Sequence, residues 1–164
     1  MAAQDAAGMV EQHWDAVFRL LFRLTHNAHD TEDLTQETFL RAMERSESFQ
    51  PGTDRRAWLR RIATNLFLDQ CRRRKVAKAE ALADDPVDRS RLVEGSLQNQ
   101  ELGAVLEQAI AGLPETARMV FVLRVQEEVS FQEIARLIGA TEETARWHMM
   151  KARRLLMERL EGKV

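Results

Sequence analysis

SFQEIARLIGATEETARWHMMK, residues 130–151, is the stretch whose reading decides the fold. Ser130 stands just ahead of Glu133, Ile134, Ala135, Leu137 and Ile138, so its hydroxyl can cap the N-terminus of a short amphipathic helix. Gly139 permits the tight turn that follows, and Thr141 can cap a second helix with Glu142, Glu143 and Thr144 in its first turn. Two helices joined by a short glycine-containing turn make a helix-turn-helix, a motif that presents its second helix to a DNA major groove. Outward positions on that second helix include Thr144, Arg146, Trp147, Met150 and Lys151, and Arg153 and Arg154 continue the basic run where it suits phosphates. On the local sequence alone, an ordinary helical hairpin remains the alternative.

Working outward, Leu102, Val105, Leu106, Ala109 and Ile110 recur at helical spacing and end at Gly112-Leu113-Pro114, a helix stop followed by a start. The spacing predicts three helical segments after it, 115–126, 130–138 and 141–160. Residues 79–100, AEALADDPVDRSRLVEGSLQNQ, have no aromatic residue, one Pro, one Gly and many acids, which is the composition of a flexible acidic linker. Before it, Val10, Trp14, Val17, Leu21 and Leu24 share one face of a helix over 9–26. Asp30-Thr31-Glu32-Asp33 opens a second helix running to about Arg45, its acids offsetting the helix dipole. Ser46 to Asp54, with Pro51-Gly52, reads as a loop. Trp58, Leu59, Ile62, Ala63, Leu66 and Phe67 form the apolar stripe of a third long helix whose other face and end carry arginines. With seven Gly, three Pro and no sustained alternation of apolar and polar residues, the expectation is an all-α protein. It has two small helical domains, 1–78 and 101–164, joined by the linker, and the C-terminal one is the helix-turn-helix.

The net charge of −2, from 24 basic and 26 acidic side chains in 164 residues, conceals blocks of opposite sign. Residues 1–54 hold 4 basic and 10 acidic groups, whereas residues 55–78 hold 9 basic groups and only Asp69, a local net charge of +8. A patch of that density suits a polyanion, although a solvated basic helix end has the same composition. No uncharged apolar run is long enough for a membrane span, and the N-terminus lacks a basic start followed by an apolar core, so a cytoplasmic protein without membrane insertion is expected. Cys71 is the one cysteine, which excludes an intrachain disulfide and a cysteine zinc site. Clusters of about 80 and 60 residues favour a binding module over an enzyme with a large pocket. No Gly-rich phosphate loop and no nucleophile with a base in motif spacing is present, and no cofactor is expected.

Several motifs together resemble one family, the extracytoplasmic-function sigma factors of bacterial RNA polymerase. The first is Asp30-Thr31-Glu32-Asp33-Leu34-Thr35-Gln36-Glu37-Thr38-Phe39-Leu40-Arg41-Ala42, followed by Trp58-Leu59-Arg60-Arg61-Ile62-Ala63-Thr64-Asn65-Leu66 and the arginine run. The second comprises Leu113-Pro114, Arg118, Val120-Phe121, Leu123, Ser130, Glu133-Ile134-Ala135, Leu137, Gly139, Thr144, Arg146 and Lys151-Ala152-Arg153. They cover about residues 10–78 and 101–160 in the family's order and spacing.

The resemblance implies a transcription initiation factor with two promoter-reading domains. Asp30, Asp33, Gln36 and Glu37 would belong to the surface that docks on core RNA polymerase, at the clamp helices of its β′ subunit, with the β subunit as a further partner. Short carboxylates and an amide on a helix face can pair with arginines of a partner helix. Phe49, the loop to Asp54 and Asn65 would form the pocket that captures a base flipped from the −10 element, the ring stacking and the amide reading an edge. For Phe49, a ring folded onto the core is the competing reading. Arg56, Arg60, Arg61, Arg72, Arg73 and Arg74 would track promoter phosphates, while Trp58 belongs to the core stripe. Thr144, Arg146, Trp147, Met150, Lys151 and Arg153 would face the −35 element, Arg146 pairing with a guanine. The family also implies an anti-sigma factor as a partner.

Three positions depart from the family pattern. Arg55 replaces the usual Phe or Leu, Ala145 the usual Val, and Trp147 a small or polar residue, differences that alter which DNA is read more than whether DNA is read. His26, His29 and Asp33 have a metal-like i, i+3, i+7 spacing, but no metal site is expected. Cys71 reads as an inert thiol and the Met149, Met150 and Met157 group as packing. The runner-up function is a conventional helix-turn-helix regulator binding duplex DNA as a dimer, which has no need for an acidic docking helix joined to an arginine-rich one.

Overall fold

The computed structural model describes residues 2–80 and 102–161, all of whose regular elements are helical. The chain divides into two units, Met1–Lys78 and Ala79–Val164. The predicted linker 79–100 lies outside the described residues except for its first two, which continue a helix.

In the first unit, α1 (Ala3–Thr25) begins six residues ahead of the expected start at residue 9 and ends where His26 turns left-handed with φ 49°. It buries Met9, Val17, Leu20, Leu21 and Leu24, while Trp14 is half-buried and stacks on Phe39 with ring centroids 5.6 Å apart. Asn27, and not Asp30, caps α2 (Ala28–Glu44): the Asn27 side chain accepts the Asp30 N–H at 2.9 Å. The buried face of α2 is built largely from threonines, because Thr31, Thr35 and Thr38 are all fully covered beside Leu34, Phe39 and Ala42. Each hydroxyl donates to the carbonyl four residues back, at 2.7, 2.6 and 2.7 Å, to Asn27, Thr31 and Leu34 respectively. The helix therefore buries three polar side chains without leaving a donor unpaired.

A 3-10 turn at Ser46–Ser48 and a loop containing Gly52 (φ 92°) lead to α3 (Arg55–Glu80). The predicted stripe is buried at Leu59, Ile62, Ala63, Leu66 and Phe67. Trp58 is an exception, being half-buried against the loop.

The second unit contains α4 (Leu102–Ala111), α5 (Glu115–Phe121), a π-helical turn at Val122–Gln126, α6 (Phe131–Ile138) and α7 (Glu142–Leu160). The caps are the ones local chemistry dictates. Ser130 Oγ accepts the Glu133 N–H, Thr141 Oγ1 accepts the Thr144 N–H, and Gly139 takes φ 69° between them. Around them the core closes through Ile110, Met119, Val120, Leu123, Ile134, Met149 and Leu156.

Two arginines fasten the end of α4. Arg118, itself buried, donates from Nη1 to the Ala111 carbonyl at 3.0 Å, and Arg159 Nη1 donates to the Ala109 carbonyl at 3.2 Å. The Arg159 guanidinium occupies the space beside Gly112, where a Cβ would lie 2.0 Å from Nη1, so a side chain at this position would displace the arginine from its place. The second unit thus spends two cations on helix-end carbonyls that would otherwise lack partners.

Candidate nucleic-acid interface

The outer face of α7 carries the expected residues, each placed by the cap that starts the helix. Thr144, Arg146, Trp147, Met150 and Arg153 are exposed and Lys151 is half-buried, whereas Ala145 and Met149 turn inward. Large apolar groups are left in solvent here, Trp147 at 50% and Met150 at 62% exposure. The methionine group accordingly splits, since Met149 packs in the core while Met150 and Met157 do not. Lys151 Nζ lies 5.3 Å from the centroid of the Trp147 ring, and His148 meets the same ring edge-on at 5.0 Å. Burial, reinforced by Lys151, holds the His148 imidazole below its ordinary pKa.

Arg146 does not extend freely into solvent. Its Cζ lies 4.5 Å from the centroid of Phe131, the first residue of α6, and Arg124 lies over the same ring at 4.8 Å. Neither Phe131 nor Arg124 is marked by the motif reading, because both look ordinary one at a time and become neighbours only when the turn closes.

In the first unit the loop aromatic is tied down. Phe49 is half-buried, its ring 5.1 Å from Trp58 and tilted by 48°, and the Arg55 guanidinium covers it at 4.8 Å. The departure at Arg55 thus has a structural counterpart, a cation laid on the expected stacking platform. His13 of α1 faces this corner: burial and then Arg55 keep its imidazole below the ordinary value, with Arg56 adding to that and Asp54 opposing it. Asn65 is exposed, as are Arg56 and Arg61, while Arg60 is half-buried.

The arginine run at the end of α3 is more engaged than its sequence suggests. Arg72 pairs with Asp69 at 3.2 Å, Arg73 Nε donates to the Asp69 carbonyl at 3.4 Å, and Arg74 pairs with Asp30 of α2. One predicted docking residue and one predicted phosphate contact are therefore partners of each other, 44 residues apart in sequence.

The outer face of α2 keeps its other acids in solvent. Asp33 and Gln36 are exposed, Glu37 is half-buried and pairs with Arg41 at 3.0 Å, and Asp33 meets His29 at 3.4 Å. Leu40, 55% exposed, is one helical turn beyond Gln36 and Glu37 and adds an apolar centre that the sequence reading passes over. His26 is separated from His29 and Asp33 by the break between α1 and α2, so their spacing does not place the three on one helix. Cys71 is buried. Among the described residues no helix is long and apolar enough to cross a membrane.

A helix-turn-helix with a basic and aromatic outer face, in one chain with an arginine-rich helix, is the architecture of a DNA-binding factor. Comparison with known proteins makes this specific. Residues 9–76 match Sigma-70 region 2 and residues 104–156 match Sigma-70 region 4. The chain is 33% identical over 168 residues to the ECF RNA polymerase sigma factor SigW of Bacillus subtilis, covering 96% of this chain and 90% of that one. It is 41% identical over 156 residues to the ECF RNA polymerase sigma factor SigE of Mycolicibacterium smegmatis, which covers 93% of this chain but spans only 60% of that relative's length. The sigma factor RpoE of Bartonella quintana, solved in complex with the anti-sigma factor NepR, has the same fold, with a TM-score of 0.71 at 22% identity, covering 99% of this chain and all of the other. The chain belongs to the extracytoplasmic-function sigma factors of RNA polymerase, a family of transcription initiation factors.

Proposed function

We propose that this chain binds core RNA polymerase through the outer face of α2 and directs it to promoters, reading the −10 element with residues 1–78 and the −35 element with residues 101–164. Asp33 and Gln36, with Glu37 and the exposed Leu40, would meet the β′ clamp helices, and the β subunit would supply further contacts. Phe49 and Asn65 would receive a base of the melted strand, with Arg56, Arg60 and Arg61 along its phosphates. Capture of unpaired bases would offset the cost of opening the duplex, so no catalysis by this chain is required. The chain would act in the cytoplasm, where core polymerase and promoters are, and be restrained by an anti-sigma factor, the class of partner seen with the Bartonella protein.

The observation that carries this reading is the division of α2 into two faces. Threonines and Phe39 are buried on one side, while Asp33, Gln36 and Leu40 remain in solvent on the other. Acids kept out of a core next to an exposed leucine suit a basic partner helix. The test is the double substitution Asp33→Arg with Gln36→Ala, which places a like charge against the partner's arginines. Assembly with core polymerase should weaken by about 3 kcal/mol, roughly a hundredfold, with unchanged helical circular dichroism. Wild-type assembly by a folded double mutant would remove α2 from the docking surface.

A further inference from the structure

Phe131 opens α6 and is half-buried, so its ring belongs neither wholly to the core nor wholly to solvent. Two guanidinium groups lie over it, Arg124 from the π-helical turn at 4.8 Å and Arg146 from α7 at 4.5 Å. Arg124 is anchored in turn, because its Nη1 donates to the Val129 carbonyl at 3.3 Å. Val129 is buried, and its own N–H bonds the Leu123 carbonyl at 2.9 Å. Glu128, in the left-handed region at φ 56°, makes the bend that brings this carbonyl back toward Arg124. A continuous set of contacts therefore runs from the buried Val129, through Arg124 and the Phe131 ring, to a side chain on the outer face of α7.

The type of contact matters. A carboxylate partner would cancel the charge of Arg146 and occupy its fork of donors, whereas an aromatic face attracts the cation through the ring quadrupole and leaves both charge and N–H groups available. An arginine held in this way has given up part of its rotamer freedom before any DNA arrives.

We propose that Phe131 is a positioning residue for base recognition: its ring, steadied by Arg124, aims Arg146. This rests on the reading of Arg146 as a base-contacting side chain. A ring that merely covered the core would change stability and total affinity, and would leave the preference for one base over another unchanged.

The experiment uses holoenzyme assembled from the full chain and core RNA polymerase, with a pool of promoter duplexes randomised across both promoter elements. Base preference at each position is read by sequencing bound against unbound duplexes. Arg146→Ala should flatten the preference at one or two adjacent −35 positions. Phe131→Leu should flatten the same positions by about two- to fivefold, the scale of an exposed cation–π contact, and leave other positions near wild type. Phe131→Tyr, which keeps the ring, should restore them. Arg124→Gln should give a smaller loss at the same positions. If Arg146→Ala changes no position, the base-reading role of Arg146 fails and the inference fails with it. If Arg146→Ala flattens a position that Phe131→Leu leaves intact, base reading stands and positioning alone is refuted. A loss spread evenly over all positions, or one that Phe131→Tyr does not repair, also overturns the proposal. Should Phe131→Leu not fold, Phe131→Met is judged by the same criteria.

Discussion

The end of α3 and the outer face of α7 are both basic, yet they hold their cations by opposite means. In α3, Arg72 pairs with Asp69, the one acid already counted in the +8, and Arg74 pairs with Asp30 of α2, which offsets one further charge of the block. In α7, Arg146 and Lys151 rest on the rings of Phe131 and Trp147, which orient a cation without cancelling it. The density of arginines in a sequence thus overstates the charge available to a polyanion wherever carboxylates are within reach. A modest basic set next to aromatic rings can present more.

The largest effect expected from this difference is in salt dependence. On holoenzyme bound to promoter DNA, replacing Lys151, Arg153 and Arg154 together by Ala should reduce the slope of log affinity against log salt by up to about three units, the value for three phosphate-neutralising groups. Replacing Arg72, Arg73 and Arg74 should reduce it by about one, because two of the three already have carboxylate partners. In an Asp30→Asn, Asp69→Asn background, the same α3 replacement should cost about two units. Equal slopes for the two sets in the native background would erase the distinction.

Half of that distinction could not be seen in the sequence, and the reason is range: Arg72–Asp69 and Lys151–Trp147 are neighbours on one helix, but the other two contacts are not. The helix-turn-helix is legible because its signals are local: Ser130, Gly139 and Thr141 act within four residues of themselves, and each takes the predicted cap or turn position. The apolar stripe of α3 is legible for the same reason, being a matter of period. Asp30 and Arg74 meet across 44 residues, and Arg146 meets Phe131 only after the turn has closed. The threonine face of α2 escapes a different way. Polar side chains read as exposed until their hydroxyls are found bonded to carbonyls of the preceding turn. The helix boundaries differ from the apolar stripes, with α1 starting at Ala3 and α3 running two residues past Lys78, where the first unit ends.

Arg118 stands outside both groups, and its substitution should produce the largest stability change. This arginine is buried and donates to the Ala111 carbonyl at the end of α4, so Arg118→Ala removes a packed stem and orphans a helix-end acceptor. The expected cost is about 2–4 kcal/mol in the second unit. Trp147 reports on that unit once Trp14 and Trp58 are replaced by Phe, and denaturant unfolding followed by its fluorescence gives the loss. An unshifted midpoint would mean that Arg118, too, is a surface cation.

A smaller effect sharpens the α3 side of the comparison. The Asp30 side chain is 18% exposed and that of Arg74 39%, so their pairing should couple by about 1 kcal/mol or less in a double-mutant cycle of unfolding. Its functional consequence is directional. Asp30→Asn should free Arg74 and strengthen binding of the melted −10 strand. If Asp30 instead contacts polymerase, the same substitution should weaken holoenzyme assembly and leave DNA affinity unchanged. The two readouts assign Asp30 either to the docking surface or to the internal pair.

The smallest expected effect tests whether the ring-held cations of α7 face DNA at all. His148 lies between Trp147 and Met149 on that helix, and burial, then Lys151, keeps its folded pKa below the ordinary value. Folding therefore favours the neutral imidazole. The stability it contributes is complete above the ordinary pKa and declines as pH falls through the window down to the depressed folded value. DNA reverses the sign, because phosphates near α7 stabilise the charged ring and binding then takes up a proton in that window. Lowering the pH from about 8 to about 5.5 should destabilise the free chain slightly while strengthening its hold on duplex DNA. His148→Gln should remove its share of both trends, and the difference between the two proteins isolates it from His13, whose pKa is also lowered. If wild type and His148→Gln show the same pH dependence of DNA affinity, the phosphates do not reach this part of α7, and the aromatic rings hold its cations for some purpose other than DNA.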